Sequence, residues 1–322
     1  MSLNSPRPWL VAALLLLLAL VPVYAQLVAQ PFYVTQFGRI LIYAIAACSL
    51  NLLIGYTGLV SFGHALYLGL GAYAVGILSF HGITNGWLQL LVAVVAGAVV
   101  AFATGLVVLR TSGMAFIMIT LAFTQMFYYL GVSLKNYGGD DGIRLDARSS
   151  LAPFDLASNT VLYYLCLALL LALLYFSWRM VHARLGFTLR GIHANERRLK
   201  ALGFPTLRYK LAIYVLAGCC TAVAGVMLAN HNEYTSPAYS AWTVSGELIV
   251  MVVLGGMGTV IGPLVGALAL LLVEEMLSSL TQHWMAPLGL AIVAVVLFAK
   301  RGLYGTFHAW ATRRERAARH DD

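Results

Sequence analysis

Charge is scarce in this chain, and its scarcity excludes a soluble fold. Only 10% of the 322 residues are charged and 61% are hydrophobic, whereas a soluble domain has roughly 25% charged and 45–50% apolar residues. The longest hydrophilic stretches, residues 135–159 and 179–210, are shorter than the roughly 50 residues that a small domain needs. The composition therefore predicts one all-α transmembrane domain over residues 1–322, a polytopic helix bundle without a separate catalytic domain.

The motifs of catalysis and cofactor binding are also missing. The sequence contains no G-x-x-x-x-G-K-[ST], no G-x-S-x-G and no H-E-x-x-H, so it offers no phosphate loop, nucleophile elbow or zinc helix. Its four cysteines all lie in apolar runs, without the spacing of a disulfide framework or metal site. We therefore expect no enzyme activity, no metal and no cofactor in this chain, and ATP could drive it only from another polypeptide.

Long apolar runs are what the sequence has in abundance. They predict about ten transmembrane helices, with a range of eight to ten, and lie near residues 9–25, 37–54, 59–80, 86–109, 114–134, 160–181, 209–230, 245–257, 261–281 and 285–299. The first run also resembles a signal peptide, because Arg7 precedes it and Val23-Tyr24-Ala25 could form a cleavage site. The count of spans favours a retained helix.

The distribution of basic residues predicts the orientation. With both termini in the cytoplasm, sixteen of the twenty Lys and Arg residues lie inside, as the positive-inside rule requires. Residues 179–210 then form a cytoplasmic loop, residues 300–322 a basic cytoplasmic tail, and residues 135–159 an extracytoplasmic loop. The net charge of +8 favours contact with anionic lipid. Nucleic acid is not an expected partner, since the basic residues form no continuous stripe with interleaved aromatics.

Two glycine-rich stretches, residues 55–64 and 255–263, interrupt the apolar runs. One interpretation is close packing between helices, because residues 258, 262 and 266 are four apart and share a helix face. The other is a pair of broken helices that line a translocation path. The candidates for helix packing or unwinding are Gly55, Gly58, Gly258, Gly262 and Gly266.

Four polar side chains cluster around the first glycine-rich stretch, namely Asn51, Thr57, Ser61 and His64. Polar groups at membrane depth should face the interior of the bundle, so these four are candidates for the translocation path. For His64 the alternative is an interior histidine that bonds to a neighbouring backbone group. A proton relay would need an acid nearby, and the acids of the apolar runs lie near their predicted outer ends.

Residues 179–210, the basic segment, predict a docking surface. The segment carries eight Lys and Arg residues and one acid, Glu196. Asn195 can cap a short helix, Glu196 favours its first turn, and Gly203 followed by Pro205 ends it. Because a helix of roughly two turns is not stable alone in water, we expect it to pack against something, and a driving partner is the usual reason.

Three motifs resemble the inner-membrane permeases of branched-chain amino acid ABC importers. The first is NLLIGYTGLVSFGHA with the following GLGAY, within residues 51–73; the second is NERRLKALG with RYK, within residues 195–210. The third is LGGMGT with GP, within residues 254–263. The loop pattern from Arg190 to Glu196 is more similar to the M-type subunit than to its H-type partner, and the likeness extends over about residues 40–300.

The resemblance implies the partners of the chain in the cytoplasmic (inner) membrane. They are a second homologous permease, two P-loop ATPases that hold ATP and Mg, and an extracytoplasmic solute-binding protein. The basic segment would be the coupling helix, although Lys200-Ala201 departs from the usual EAA signature. Its expected ATPase-coupling residues are Arg190, Asn195, Glu196, Arg197, Ala201 and Gly203.

The resemblance ranks the possible substrates. Branched-chain amino acids come first, another amino acid or an amide second, and urea third. A simple-sugar permease of the same architecture is an alternative within the ABC class. An ion-coupled secondary transporter is the alternative from a different class, and the absence of a mid-span acid counts against it.

Overall fold

The computed structural model describes residues 8–151, 156–298, 302, 303 and 305. Most of the predicted basic tail and Arg7 lie outside the described residues. In the described part of the chain the helices are α1 (Pro8–Leu27), α2 (Phe32–Thr57), α3 (His64–Phe80), α4 (Gly86–Val108), α5 (Met114–Ser133), α6 (Asn159–His182), α7 (Arg184–Ala201), α8 (Thr206–Asn232), α9 (Trp242–Gly255), α10 (Gly262–Leu280) and α11 (Met285–Phe298). Two short strands, β1 (Ile143–Arg144) and β2 (Tyr234–Thr235), and two 3-10 helices, Lys135–Tyr137 and Pro237–Ser240, complete them.

Each of the ten predicted apolar runs forms a helix, and the basic segment supplies α7. Six helices of the described chain, α2, α4, α5, α6, α8 and α10, are long and apolar enough to cross a membrane. The all-α, multi-pass class is therefore confirmed. The shorter apolar helices are α1, α3, α9 and α11, and their crossing stays a prediction.

The centre of the bundle is formed by α2, α3 and α8. Helices α3 and α8 cross in backbone contact: a Cβ on Gly225 would lie 2.0 Å from the carbonyl oxygen of Leu68, and one on Gly71 would lie 2.0 Å from that of Ala222. A hydrogen bond between the hydroxyls of Ser49 and Thr221 joins α2 to α8. Small residues permit this close approach. In lipid there is no hydrophobic driving force between helices, so the van der Waals contacts of such close packing stabilise their association.

A hydrogen bond to a carbonyl group that Pro22 leaves without a helical donor joins α1 to the bundle. Pro22 lies inside α1 and has no N–H, so the carbonyl of Leu18, four residues earlier, loses its helical donor. The hydroxyl of Tyr163 on α6 donates to this oxygen at 2.6 Å, and Leu18 is fully buried. This bond gives the Leu18 carbonyl a hydrogen-bond donor, which the surrounding hydrocarbon could not provide.

The predicted extracytoplasmic loop is folded onto the ends of α3, α4 and α8. Strand β1 pairs antiparallel with β2, the backbone N–H of Ser149 donates to Asn230 Oδ1 at 2.8 Å, and Arg148 pairs with Glu233 at 2.9 Å. The all-α prediction did not include this ribbon, because it joins segments far apart in sequence.

Candidate functional site

The basic segment folds as two helical pieces separated at one residue. Within α7, Asn195 has extended backbone angles (φ −161°, ψ 94°), and its Oδ1 accepts a hydrogen bond from the backbone N–H of Arg198 at 3.0 Å. This geometry is that of a helix N-cap, so the predicted cap is confirmed. The predicted helix is only the second piece, since α7 already begins at Arg184.

The second piece ends where the sequence predicts. Gly203 has φ +85°, a left-handed conformation that favours glycine. Its N–H donates to the carbonyl of Lys200 at 3.0 Å, and the N–H of Phe204 donates to that of Leu199 at 3.1 Å. This pair of bonds is a Schellman motif. The side chain of Leu199 lies so close to Gly191 that a Cβ there would be 3.0 Å from it, so the two pieces pack together.

Glu196 ties the second piece to the start of α8. Its carboxylate accepts hydrogen bonds from the ammonium group of Lys210, from Lys200 at 3.0 Å and from the hydroxyl of Thr206 at 3.2 Å. Burial alone would raise the pKa of Glu196, but the hydrogen bonds from Lys210 and Lys200 outweigh it and lower that pKa below its ordinary value. Lys210 is 5% exposed, so Glu196 balances a buried cation.

The first piece is anchored to the membrane core. The guanidinium of Arg190 donates to the carbonyl of Val181 at 3.1 Å, which satisfies the end of α6. The imidazole of His193 lies against the end of α2: a Cβ on Gly58 would be 3.0 Å from its Nδ1. Leu189 and Ile192 are buried in the same cluster as residues of α2 and α8. Any movement of α7 therefore reaches α2, α6 and α8.

The opposite face of the basic segment is open. Arg197, Ala201 and Gly203 are exposed, and two large apolar side chains, Phe187 and Leu202, are 77% and 69% exposed. A basic surface with exposed apolar anchors is typical of a protein interface. Of the expected coupling residues, Arg190, Asn195 and Glu196 hold the shape of the segment, whereas Arg197, Ala201 and Gly203 lie on its open face.

The first glycine-rich stretch is a helix break, residues 58–63 between α2 and α3. Helix α3 has 17 residues, or about 26 Å, which is at the lower limit of what can cross the roughly 30 Å hydrocarbon core. The backbone of the break is satisfied by side chains of α5: the N–H of Phe62 donates to Thr120 Oγ1 at 3.1 Å, and the carbonyl of Phe62 accepts from Thr124 Oγ1 at 2.8 Å.

The second glycine-rich stretch is also a break, residues 256–261 between α9 and α10. Asn51 on α2 holds it: its Oδ1 accepts from the N–H of Gly258 at 3.0 Å, and its Nδ2 donates to the carbonyl of Thr259 at 2.8 Å. The last turn of α2, just before the first break, lies against the second break, since a Cβ on Gly55 would lie 2.5 Å from the nitrogen of Gly258.

The two halves that flank the second break cross in backbone contact. A Cβ on Gly255 would lie 1.8 Å from the carbonyl oxygen of Gly262, and one on Gly266 would lie 1.8 Å from that of Met251. No larger residue fits at these positions without moving a helix. The backbone is left-handed at Gly58 (φ +72°) and Gly258 (φ +75°), whereas Gly262 and Gly266 pack at the α9–α10 crossing. The prediction that residues 258, 262 and 266 share one helix face was therefore wrong for Gly258, which precedes α10.

The four candidate path residues differ in what their polar atoms contact. The amide of Asn51 is occupied by the second break, and the hydroxyl of Thr57 donates to the carbonyl of Leu53 in its own helix at 2.6 Å. Ser61 Oγ accepts from the N–H of Gly63 at 3.1 Å. His64 is fully buried, and neither ring nitrogen has a hydrogen-bond partner in the described part of the chain. Their role in a path stays a prediction.

Sequence reasoning did not name as site residues the side chains of other helices that contact the breaks or the first turn of α3. They are Thr120 and Thr124 on α5, His193 on α7, and Ser245 on α9, whose hydroxyl accepts from the N–H of Ala65 at 2.9 Å. The spacing of Thr120 and Thr124 on one helix face is a local signal that they face the bundle interior. The partners of Ser245 and His193 follow from packing alone.

Two helix breaks within a helical bundle, with α2 packed against the second break and a basic segment with an open face beside the first, are typical of multi-pass membrane proteins of the transporter class. Comparison with protein families agrees with this geometry. The family described as "Branched-chain amino acid transport system / permease component" matches residues 32–300, and the chain belongs to this family. It is therefore a transport permease component and not an enzyme.

Individual relatives carry related names. The chain is 25% identical over 316 residues to the high-affinity branched-chain amino acid transport system permease protein LivM of Escherichia coli, covering 89% of this chain and 74% of the relative. It is 24% identical to LivH of the same organism, covering 79% and 88%. It is also 27% identical to the E. coli ribose import permease protein RbsC, covering 82% and 85%. No solved structure gave a significant match.

Proposed function

We infer that this chain is the M-type permease subunit of an ATP-driven ABC importer for branched-chain amino acids. One observation carries the coupling role: α7 presents a capped, internally tied piece with exposed Arg197, Ala201 and Leu202, while its other face is locked into α2, α6 and α8. The chain has no phosphate-loop motif, so the ATPases that bind ATP and Mg are separate polypeptides.

The predicted orientation has both termini in the cytoplasm and about ten crossings of the inner membrane. The pairing of elements supports this assignment. Strand β1 in the predicted outer loop pairs with β2 after α8, and His193 in the predicted inner loop lies against Gly58, between α2 and α3. Elements predicted on one side thus lie together, and the basic segment is the cytoplasmic coupling loop, residues 179–210.

The complete transporter needs further partners. A second homologous permease pairs with this chain, two cytoplasmic ATPases engage the coupling loops, and an extracytoplasmic binding protein delivers the solute. Both LivM and LivH of E. coli are named as permease proteins of a high-affinity branched-chain amino acid transport system, which supports a pair of unlike permeases.

The contacts suggest how the ATPase cycle would reach the membrane. Closure of the ATPases would move α7 as a rigid body, because Glu196 fixes it to Lys210 on α8 and Arg190 fixes it to α6. His193 would transmit that motion to Gly58 at the first break. Through the last turn of α2 it would reach the second break, because Gly55 of α2 lies against Gly258. Such a rigid shift is the usual form of alternating access.

The substrate is a branched-chain amino acid, as the family description and the names of LivM and LivH support. A simple sugar is the second candidate, since the ribose permease RbsC has a comparable identity of 27%. Neutral sugars carry no charged groups, so the two substrate classes make different demands on a path through the membrane.

Transport by the reconstituted complex tests the proposal. Liposomes that contain both permeases and the ATPases, supplied with binding protein, should accumulate radiolabelled leucine only with internal ATP, and should not accumulate ribose. ATP-dependent ribose uptake would move the chain to the sugar class. Leucine uptake that follows a proton or sodium gradient without ATP would contradict the ABC assignment.

A further inference from the structure

His64, the first residue of α3, is a polar side chain buried without any hydrogen bond. It is 0% exposed, and both ring nitrogens lack a partner in the described part of the chain. Its ring contacts that of Tyr67 edge to face, with centroids 5.9 Å apart. Burying polar atoms unpaired destabilises a protein, so an apolar side chain of similar shape would be more stable here. Such a cost is typical of functional positions.

The surroundings of His64 are rich in donors. Ser61 Oγ accepts from the N–H of Gly63 at 3.1 Å, and Ser245 Oγ accepts from the N–H of Ala65 at 2.9 Å. In the described chain neither hydroxyl donates to a protein acceptor, so both protons are available. The hydroxyl of Tyr214 lies 3.6 Å from the Cβ position of Gly63. These groups gather at the N-terminus of α3, whose dipole favours negative charge.

No buried acidic side chain of the described residues would repel an anion at the N-terminus of α3. Among the buried residues of the described chain the only charged one is Lys210, which Glu196 balances. His64 is the first residue of α3 and directly follows the first break. The break itself is backbone without helical bonds, which membranes tolerate only against protein or a pathway.

A neutral imidazole matches the two ends of an amino acid. It offers one N–H donor and one acceptor lone pair, and both are unpartnered here. An α-carboxylate accepts hydrogen bonds and an α-ammonium group donates them. Ser61 and Ser245 can add donors to the carboxylate. A sugar or urea would leave the positive end of the α3 dipole without a charge to stabilise.

We propose that the N-terminus of α3, with His64, Ser61 and Ser245, binds the carboxylate and ammonium groups of the amino acid as it crosses the membrane. This inference rests on the proposed function and names the chemical group that the path recognises. It also separates the candidates: Asn51 and Thr57 are bonded to backbone groups, whereas His64 and Ser61 retain capacity for a substrate.

Substitution in the reconstituted complex tests the site. His64→Phe keeps the ring and removes both polar atoms, so its melting temperature should equal or exceed that of the wild type, while leucine uptake falls by about tenfold or more. His64→Gln, which retains a donor and an acceptor, should transport at an intermediate rate. The matched control is His81→Phe at the other end of α3, an exposed position bonded to Tyr137, and uptake should stay within about twofold.

Uptake by His64→Phe at the wild-type rate would overturn the site but leave the proposed function intact. A wild-type complex that takes up no leucine would instead contradict the proposed function. A second measurement applies even if His64→Phe fails to assemble. A photoreactive diazirine analogue of leucine, delivered by the binding protein to complexes trapped with vanadate, should label residues 59–66 or their neighbours on α5 and α9. Labelling confined to other helices would overturn the proposal.

Discussion

At the scale of single residues, Glu196 has the most consequential set of contacts in the basic segment. It caps no helix itself, yet it holds Lys210, Lys200 and Thr206 around the short piece of α7. Sequence alone marked it as a first-turn acid. Its partner Lys210, 14 residues on and buried, emerges only when α8 folds back against α7.

Removing this carboxylate should destabilise the segment. Glu196→Gln leaves the ammonium group of Lys210 buried without a counter-charge, and we expect a loss of about 1–3 kcal/mol. The double variant Glu196→Gln with Lys210→Met should recover most of it, because the buried charge is gone. Thermal unfolding of the wild type, Glu196→Gln, Lys210→Met and the double variant in one detergent measures this cycle. Equal losses in the single and double variants would contradict a direct pairing.

The same pair predicts a pH dependence with a definite sign. The pKa of Glu196 is lowered from the ordinary 4.5, so its ionised form stabilises the folded segment at pH values above 4.5. That contribution is lost as the pH falls through the lower, folded pKa. The difference in melting temperature between wild type and Glu196→Gln should be full near pH 7 and shrink below about pH 4.5. A difference that grows on acidification would contradict this assignment.

At the scale of elements, side chains of other helices stabilise the two helix breaks by hydrogen bonds to their backbone groups. Asn51→Leu keeps the branched outline of the side chain but leaves the N–H of Gly258 and the carbonyl of Thr259 unpaired. We expect it to lower stability by about 2 kcal/mol or more. Thr57→Val is the control, because Thr57 bonds only within α2 and should change stability by less than about 0.5 kcal/mol. Similar melting temperatures for the two variants would show that Asn51 does not hold the second break.

The attachment of α1 makes a second prediction at this scale. Tyr163→Phe removes the donor that replaces the missing N–H of Pro22, and it should lower stability by about 1 kcal/mol. The adjacent Tyr164→Phe is the matched control: its hydroxyl donates to Ala19 at 3.3 Å on an exposed side chain, beside a carbonyl that retains its helical donor. Thermal unfolding should separate the two, and an equal effect would contradict the role of Pro22.

Much of the element structure could be predicted from the sequence, for a physical reason. A run of apolar residues long enough to cross lipid must form a helix, so all ten runs became helices within a few residues of their predicted ends. The local signals at Asn195 and Gly203 also sufficed, because caps depend on neighbouring residues. The first piece of α7, from Arg184, carries no such signal at its start and was missed.

The candidate site was predictable only in part. Glycine-rich composition marked both breaks, but whether they were turns, packing faces or unwound segments depended on contacts with other helices. Asn51 illustrates the difficulty: the sequence places it beside the first break, whereas its amide bonds to the second. No pattern within α2 indicates a partner more than 200 residues away.

At the scale of the whole molecule, α2 joins the two helix breaks: it ends at the first, and its Gly55 lies against Gly258 in the second. The helical connection α7 packs against this end of α2. Glu196, Arg190 and His193 fasten α7 to α8, α6 and α2 respectively. A partner that pulls on α7 would therefore act on the breaks without touching them. Coupling of this kind requires the open face of α7 to be the ATPase contact.

Co-purification with and without a charge on that face tests the claim most directly. The tagged wild-type chain, purified in mild detergent, should retain the second permease and the P-loop ATPase in fixed ratio. Ala201→Asp should retain the second permease and lose the ATPase, with uptake abolished, and Gly203→Pro should do the same because proline cannot adopt φ +85°. Ala157→Asp in the predicted outer loop, also exposed, should retain both partners. ATPase retention and normal uptake by Ala201→Asp would contradict the account.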